Sequence, residues 1–406
     1  MSGLMQTLTA LEYACTLDVL PALKRIFASG ERGPVFAKGY AFCSGADAMD
    51  LALHSDRQTL SVMENHDFHT LANEEGEDHI AHRKEVMAAF SPALLKRYGE
   101  VAERIATDTY GEPGASLVNL YEVTESFVQK LLWETLLGEP FDERPSHVLL
   151  DYQLLLARAD NSARFRPSSI QAAKDRWNSY LLEILSKRYQ LPKQDAASAI
   201  VRARKEPDAV GVSHLFALMD FGLGDLSIFF TYVLALLGIH REAQRSIRSE
   251  LLARSGSTFE EFPQTAAFVH EVERLYPPVV ELHRLVKKPF TFRNAEIREG
   301  TVLVCSLWHT QRDETLFPEP DQFRPKRFLG DGADSVVRSR YLLPFGGGRH
   351  MCLAAAYSRG MIVPMLRAVL RDAELYAEAP LPEIFHQPTQ RPMGPIWLRI
   401  KRRKHP

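Results

Sequence analysis

The apolar positions of this chain repeat mostly at helical spacing. Over residues 117–138 (Leu117 to Gly138) they recur every three or four positions, and the same period runs through 146–158 and 170–188. That pattern predicts amphipathic helices packed by one face. From Gly211 to Leu237 most positions are apolar and many are Phe or Leu, which predicts a long helix buried on most sides. Leu237-Gly238-Ile239-His240 then leads into a polar helix at 241–253. Between Phe290 and Leu307 the pattern turns β-like, with Glu299-Gly300 as a turn between strands. Helix resumes after Cys352, and Pro364 falls inside it, where a kink or an early end is expected. No repeat, low-complexity segment or linker divides the chain. The expected fold class is mainly α with a smaller β portion, and the 406 residues are read as one domain, 1–406.

Composition narrows the function classes. Lys and Arg number 49 against 51 Asp and Glu, so no charge excess points to nucleic acid. Lys401-Arg402-Arg403-Lys404 is a short basic run read as solvated surface. Four cysteines, at 15, 43, 305 and 352, lack paired spacing and read as reduced thiols in a cytosolic protein. The first residues, Met1-Ser2-Gly3-Leu4-Met5-Gln6, lack the long apolar run of a signal peptide or membrane anchor. The expectation is a soluble, cytoplasmic protein.

One cysteine stands in an unusual setting. The run Pro344-Phe345-Gly346-Gly347-Gly348-Arg349-His350-Met351-Cys352-Leu353-Ala354 places Cys352 after a glycine-rich loop and before an apolar helical stretch. Glycines let the backbone curve tightly and approach a flat ligand. The positive end of the following helix dipole favours thiolate over thiol. A lone thiolate so placed suits a haem axial ligand, although a small buried cysteine after a surface loop would look alike.

This loop resembles the haem-binding signature of the cytochrome P450 superfamily: Phe, two residues, Gly, one residue, Arg or His, one residue, Cys, one residue, Gly. Here it reads Phe345, Gly348, His350, Cys352 and, in place of the last glycine, Ala354. A second segment is similar to a family motif. Glu271 and Arg274 lie three apart, directly before Leu275-Tyr276-Pro277-Pro278 and about eighty residues before the cysteine. The family pairs them with an arginine from a Phe-x-Pro-x-Arg-Phe segment, present here as Phe323-Arg324-Pro325-Lys326-Arg327-Phe328. The resemblance runs from about residue 40 to the end of the chain. It implies the cytochrome P450 fold, with haem b between the long central helix and the cysteine-loop helix. Glu271, Arg274 and Arg327 would then form a structural network.

The resemblance also implies where the cofactor is held. Cys352 would bind iron. His79 and Arg83, four apart before Phe90-Ser91-Pro92, would meet the haem propionates together with Arg284 and His350. Family members that activate dioxygen carry an acid followed by threonine in the long helix, a pair that relays the protons needed for O–O cleavage. Counting back from Ile239-His240 aligns Phe221-Gly222-Leu223-Gly224-Asp225, so that Gly224 takes the acid's place and Asp225 the threonine's. A shift of one residue makes Asp225 the acid and Leu226 the alcohol. Neither register supplies a threonine, and the nearest hydroxyl is Ser227. Gly222, Gly224 and Asp225 are therefore the expected catalytic stretch. Asp225 reads either as a proton donor or substrate contact, or as a carboxylate bound to backbone or water at a helix bulge. Asp220, Phe221, Val280, Glu281 and His283 match substrate-facing positions.

The activity so implied is that of a haem-thiolate monooxygenase acting on a small organic substrate. It would use dioxygen and two electrons from a separate ferredoxin and ferredoxin reductase, since no flavin or iron–sulfur segment is visible. Arg338, Arg340, Arg349 and Lys84 would offer a basic face to an acidic ferredoxin. The expected protein is a monomer without nucleic-acid or membrane partners. Two other readings stay open. One is an atypical haem-thiolate reaction: peroxide-driven oxidation, coupling, desaturation or rearrangement. The other is a non-catalytic haem sensor, which the lack of an output domain disfavours.

Overall fold

The structure, a computed structural model, describes residues 19–62, 71–111, 116–158, 168–256, 258–330, 341–378, 380–382, 384–387 and 389–403. Cys15, Arg338 and Arg340 lie outside the described residues.

The helices in chain order are α1 (Val19–Ile26), α2 (Ala46–His54), α3 (Gly76–Met87), α4 (Pro92–Tyr110), α5 (Leu120–Leu132), α6 (Glu143–Arg158) and α7 (Ser168–Gln190). They continue as α8 (Ala196–Arg204), α9 (Ala209–Ile239), α10 (Arg241–Ala253), α11 (Pro263–Leu275), α12 (Leu307–Thr310), α13 (Ala355–Gly360) and α14 (Ile362–Asp372). All the periodic segments form helices, and the polar one at 241–253 starts and stops where its pattern does. The segment from Leu117 differs. Residues 116–119 are a strand, paired with residues 397–400 nearly 280 positions away, and α5 starts only at Leu120. A tertiary partner there outweighs local helical spacing. At its far end the helix widens into a π turn, Trp133–Leu137, closed by Gly138 in the left-handed conformation.

The helix after Cys352 is interrupted at Met361, three residues before Pro364, in line with the expected kink or early end, since Pro364 has no N–H for the Gly360 carbonyl. Pro364 is the third residue of α14, where a missing N–H breaks no bond within that helix. Its ring faces α4 at Gly99, where an added Cβ would come within 3.3 Å of the ring.

The β portion is larger than the 290–307 zone. A five-stranded sheet runs β1 (Val35–Ala37), β2 (Tyr40–Cys43), β8 (Val302–Ser306), β5 (Glu281–Val286), β3 (Leu60–Ser61), with β2 and β8 parallel and the other pairs antiparallel. A hairpin of β6 (Phe290–Phe292) and β7 (Ala295–Ile297) accounts for the first part of the predicted zone. The strand at 116–119 (β4) joins β12 (Trp397–Arg402) and β9 (Ala373–Ala377) in a second sheet, and β10 (Ile384–Gln387) pairs with β11 (Thr389–Pro392).

The main core gathers α4, α5, α7 and α14 around α9. α9 is long and apolar enough to cross a membrane, but 83% of its most apolar window is buried inside the protein. Asp208 caps its start, accepting from the Gly211 amide at 2.8 Å.

Candidate active site

A cavity of about 330 Å³ lies between α9 and the cysteine loop. α9 offers it Ala217, Leu218, Phe221, Gly222, Asp225, Leu226 and Phe229. Their spacing, alternately one and three, marks a single helical face. The cysteine loop offers Phe345, Gly346, His350, Met351, Cys352 and Leu353, and α3 offers His79 and Arg83. Leu132, Leu136 and Leu282 add apolar walls.

The loop's curvature is built in. Gly348 has φ +62°, and a Cβ there would sit 2.2 Å from the carbonyl oxygen of Leu53, so only glycine fits. The Cys352 amide donates to the Phe345 carbonyl at 2.9 Å, closing the loop. Cys352 is exposed, but toward the cavity that it lines. Burial by the surrounding protein pushes its thiol pKa up, the Ala354 amide opposes this, the Asp225 carboxylate adds to the rise, and Arg83 and the Ala355 amide also oppose it. The helix start favours thiolate, as expected, through these two amides, and burial works against it. Desolvation outweighs the amides, and a bound cation is what would remove the proton.

The donors expected for the cofactor's carboxylates divide. His79 is buried, and its ring lies 4.4 Å from that of His350. His79 Nδ1 is buried without a hydrogen-bond partner, and His350 Nε2 lies 3.4 Å from a Glu75 oxygen, a long contact. Burial is the main force lowering both imidazole pKa values, that of His350 to about 4, so both are neutral near pH 7. Arg83 spends one nitrogen on the Met351 carbonyl, at 2.9 Å, and stays on the cavity wall. Arg284 is off that wall. It sits on β5, donating to the Ala52 carbonyl at 2.8 Å and the His283 carbonyl at 2.7 Å.

Other expected positions also fall outside the cavity. On α9, Asp220 and Gly224 lie off the lining face, because helical rotation separates them from the 221/222 and 225/226 pairs. α9 runs unbroken through Asp225, so there is no helix bulge at that residue. After the Pro-Pro turn, Val279 and Leu282 line the cavity, whereas Val280, Glu281 and His283 do not. Val280 belongs to a separate core cluster with Val304 and Trp308. Glu281 and His283 share the other face of β5 and contact each other at 3.1 Å. Strand side chains alternate, and pairing with β8 puts Leu282 on the cavity side.

The structure brings Glu271, Arg274 and Arg327 together. Arg274 donates to both Glu271 oxygens at 2.8 and 2.9 Å, and Arg327 Nε donates to Glu271 at 3.1 Å. Arg274 also holds the Gln311 carbonyl at 2.8 Å. A second buried carboxylate, Glu273, escaped the sequence reading, although it lies inside the motif. It pairs with Arg359 of α13 at 3.0 and 2.9 Å and with His270 at 2.9 Å. Its spacing from Arg359, 86 residues, gave no local signal. Arg349, expected on a docking face, is occupied with Glu75 at 3.2 Å and with the Ser55 and Leu60 carbonyls at 2.7 and 3.0 Å.

A flat, largely apolar group with two carboxylates and a thiolate-seeking metal fits these residues. The sulfur faces the cavity, the walls are aliphatic and aromatic, and at one edge stand Arg83 and two buried imidazoles, one of them, His79, with an unpartnered nitrogen. The fold and the site define a haem-thiolate protein.

Comparison with known proteins agrees. The family described as Cytochrome P450 matches residues 222–388. Cyclooctat-9-en-7-ol 5-monooxygenase of Streptomyces melanosporofaciens is 25% identical, over 70% of this chain and 68% of that protein. A putative cytochrome P450 of Mycobacterium tuberculosis is 26% identical, over 76% and 68%. Protopine 6-monooxygenase of Eschscholzia californica is 32% identical, but over 42% of this chain and only 34% of its own length. The retinoic-acid-bound cyanobacterial CYP120A1 structure superposes with a TM-score of 0.78, at 21% identity and 89% coverage of both chains. The chain has the cytochrome P450 fold, matches that family's model over residues 222–388, and is similar to P450 monooxygenases.

Proposed function

We propose that this protein oxidises a small organic, natural-product-like substrate with dioxygen and two electrons delivered by a separate ferredoxin and ferredoxin reductase, as a soluble cytoplasmic monomer. The observation that carries this reading is the pairing, in one apolar cavity, of the Cys352 sulfur with the Asp225 carboxylate. When bound, haem supplies oxygen activation and transfer to substrate.

The chain's own residues supply the rest. Cys352 holds the metal. Phe345 and Gly348 shape the loop behind it. His79, Arg83 and His350 receive the cofactor's carboxylates at one edge, and Arg284 braces β5 behind them through its two carbonyl contacts. Phe221 and Phe229 cover the cavity from α9 and exclude water. Among the described residues, Asp225 is the single ionisable group on the lining face of α9, so a proton handed into the cavity from this helix comes from its carboxyl. Glu271, Arg274 and Arg327 keep α11 and the 318–327 segment in place.

One observation keeps a second reaction open. The lining face of α9 carries no hydroxyl: Ser227 is buried off the cavity, and Thr231 donates to the Ser227 carbonyl at 2.6 Å. Peroxide-driven oxidation, or coupling and desaturation, is the alternative that this favours.

The test compares product formed with ferredoxin, reductase and dioxygen against product formed with hydrogen peroxide, for ligands first selected by a shift of the Soret band. Product in the first arm, at a rate the second does not reach, supports the monooxygenase. Product with peroxide alone favours the alternative. A Cys352→Ala protein that keeps the red-shifted Soret band of the reduced carbon monoxide complex would overturn both.

A further inference from the structure

A second polar cluster stands apart from the cavity, where α3 crosses the first turns of α9. His82 and Glu85, three apart on α3, face His214 of α9. One ligand atom from each lies within 4.8 Å of the others. His214 is fully buried, its Nε2 rests 3.4 Å from a Glu85 oxygen, and its Nδ1 has no hydrogen-bond partner. A contact of 3.4 Å is long for a hydrogen bond, so a buried imidazole is left poorly satisfied.

His82 is oriented from behind. Its Nδ1 lies 2.8 Å from Oε2 of Glu74, whose side chain is 4% exposed. A carboxylate at that nitrogen holds the proton on Nδ1 and leaves the Nε2 lone pair available, the arrangement that backs metal-bound histidines. The two imidazole rings meet edge to face, 5.1 Å between centroids. Charge suits a dication. Glu74, Glu85 and Asp208 lie around the cluster, and Arg204 offsets part of their charge, holding the two Glu85 oxygens at 3.1 and 2.9 Å and Asp208 at 2.6 Å. The side chains of His82 and Glu85, 18% and 21% exposed, leave an entry path.

We propose that His82, Glu85 and His214 form a binding site for a zinc-type transition-metal ion. Two imidazoles and one carboxylate are a borderline donor set that suits Zn²⁺ in tetrahedral geometry with water as fourth ligand; Mg²⁺ and Ca²⁺ prefer all-oxygen shells. The ion staples α3 to α9. Because α3 also carries His79 and Arg83, the staple stiffens one edge of the haem cavity.

The test uses haem-loaded protein cleared of zinc with a chelator. Zn²⁺ is added back, the protein is gel-filtered, and zinc per chain is measured by mass spectrometry, with affinity from competition against a chromophoric chelator. The expected result is one zinc per chain. Affinity should fall by about tenfold or more in His82→Gln and in Glu85→Gln. The thermal unfolding midpoint should rise with Zn²⁺ in the parent and not in these variants. Excess Mg²⁺ should leave the zinc in place. His82 is the partly exposed ligand, so circular dichroism of His82→Gln separates loss of zinc from loss of fold. No retained zinc, zinc held equally by both variants, or displacement by Mg²⁺ would each overturn the site.

Discussion

Glu273 of α11 and Arg359 of α13 are joined by two hydrogen bonds, 3.0 and 2.9 Å long, that tie the helix before the Pro-Pro turn to the helix after Cys352. The Arg359 guanidinium also lies 5.0 Å from the centre of the Phe345 ring. Two residues away, Glu271 faces Arg274 and Arg327 instead. One turn of α11 thus anchors both the cysteine loop and the 318–327 segment, through two buried carboxylates.

The first of these carboxylates makes stability depend on acid. Burial opposes the charge of Glu273, but Arg359 and His270 override it and hold the carboxyl below the ordinary 4.5. A depressed carboxyl stabilises the fold above its unfolded pKa and loses that contribution as pH falls through the lower folded value. Glu273→Gln should therefore melt well below the parent at pH 7, with the gap closing below about pH 4.5. Melting curves at several pH values check this, and a gap that does not change with pH contradicts it.

Arg274→Ala should leave Glu271, fully buried, with only Arg327 and one amide. Breaking a buried pair in this way costs about 3–5 kcal/mol. The expected outcome is a low yield of folded, haem-loaded protein, scored by haem content and denaturant unfolding. Normal yield would place the pair among dispensable contacts.

Haem retention should separate two arginines that look alike in sequence. Arg83 lines the cavity and Arg284 does not. Arg83→Ala should speed haem transfer to apomyoglobin by roughly tenfold or more, matching the loss of a charge-assisted bond of about 1.5–3 kcal/mol. Arg284→Ala should chiefly lower the melting temperature, because it frees two carbonyls inside the fold. Equal acceleration of haem loss by both would put Arg284 at the cofactor.

Asp225→Asn keeps shape and cannot ionise. It should retain haem, spectrum and most substrate binding, while product per electron consumed falls and peroxide leaks. Asp225→Thr should recover part of the coupling. Loss of substrate binding with coupling intact would instead make Asp225 a substrate anchor.

Electron delivery should depend on Lys84, which is exposed on α3. Lys84→Glu should slow reduction by a ferredoxin and flatten its salt dependence, leaving substrate affinity unchanged. Arg349→Glu should behave differently, since its guanidinium holds Glu75 and two carbonyls; a lower melting temperature is expected there. Reduction rates indifferent to charge and salt would remove the docking face.

Much of this protein is written locally in its chain. Helical periodicity specifies α9 and α10 because one residue's neighbours at three and four positions share its face. The loop before Cys352 is legible because Gly348 answers a backbone constraint, the 2.2 Å approach to Leu53. Glu271 and Arg274 are legible because their pairing lies within a helix turn. What sequence could not decide is phase and distant pairing. Leu282 faces the cavity and Glu281 turns away because β5 pairs with β8 in one register of two. Asp220 and Gly224 miss the cavity through the rotation of α9 against its neighbours. Glu273 meets Arg359, and His82 meets His214, only when helices far apart in the chain pack together. These choices rest on contacts between segments, and their energies do not exist until the tertiary structure brings the segments into register.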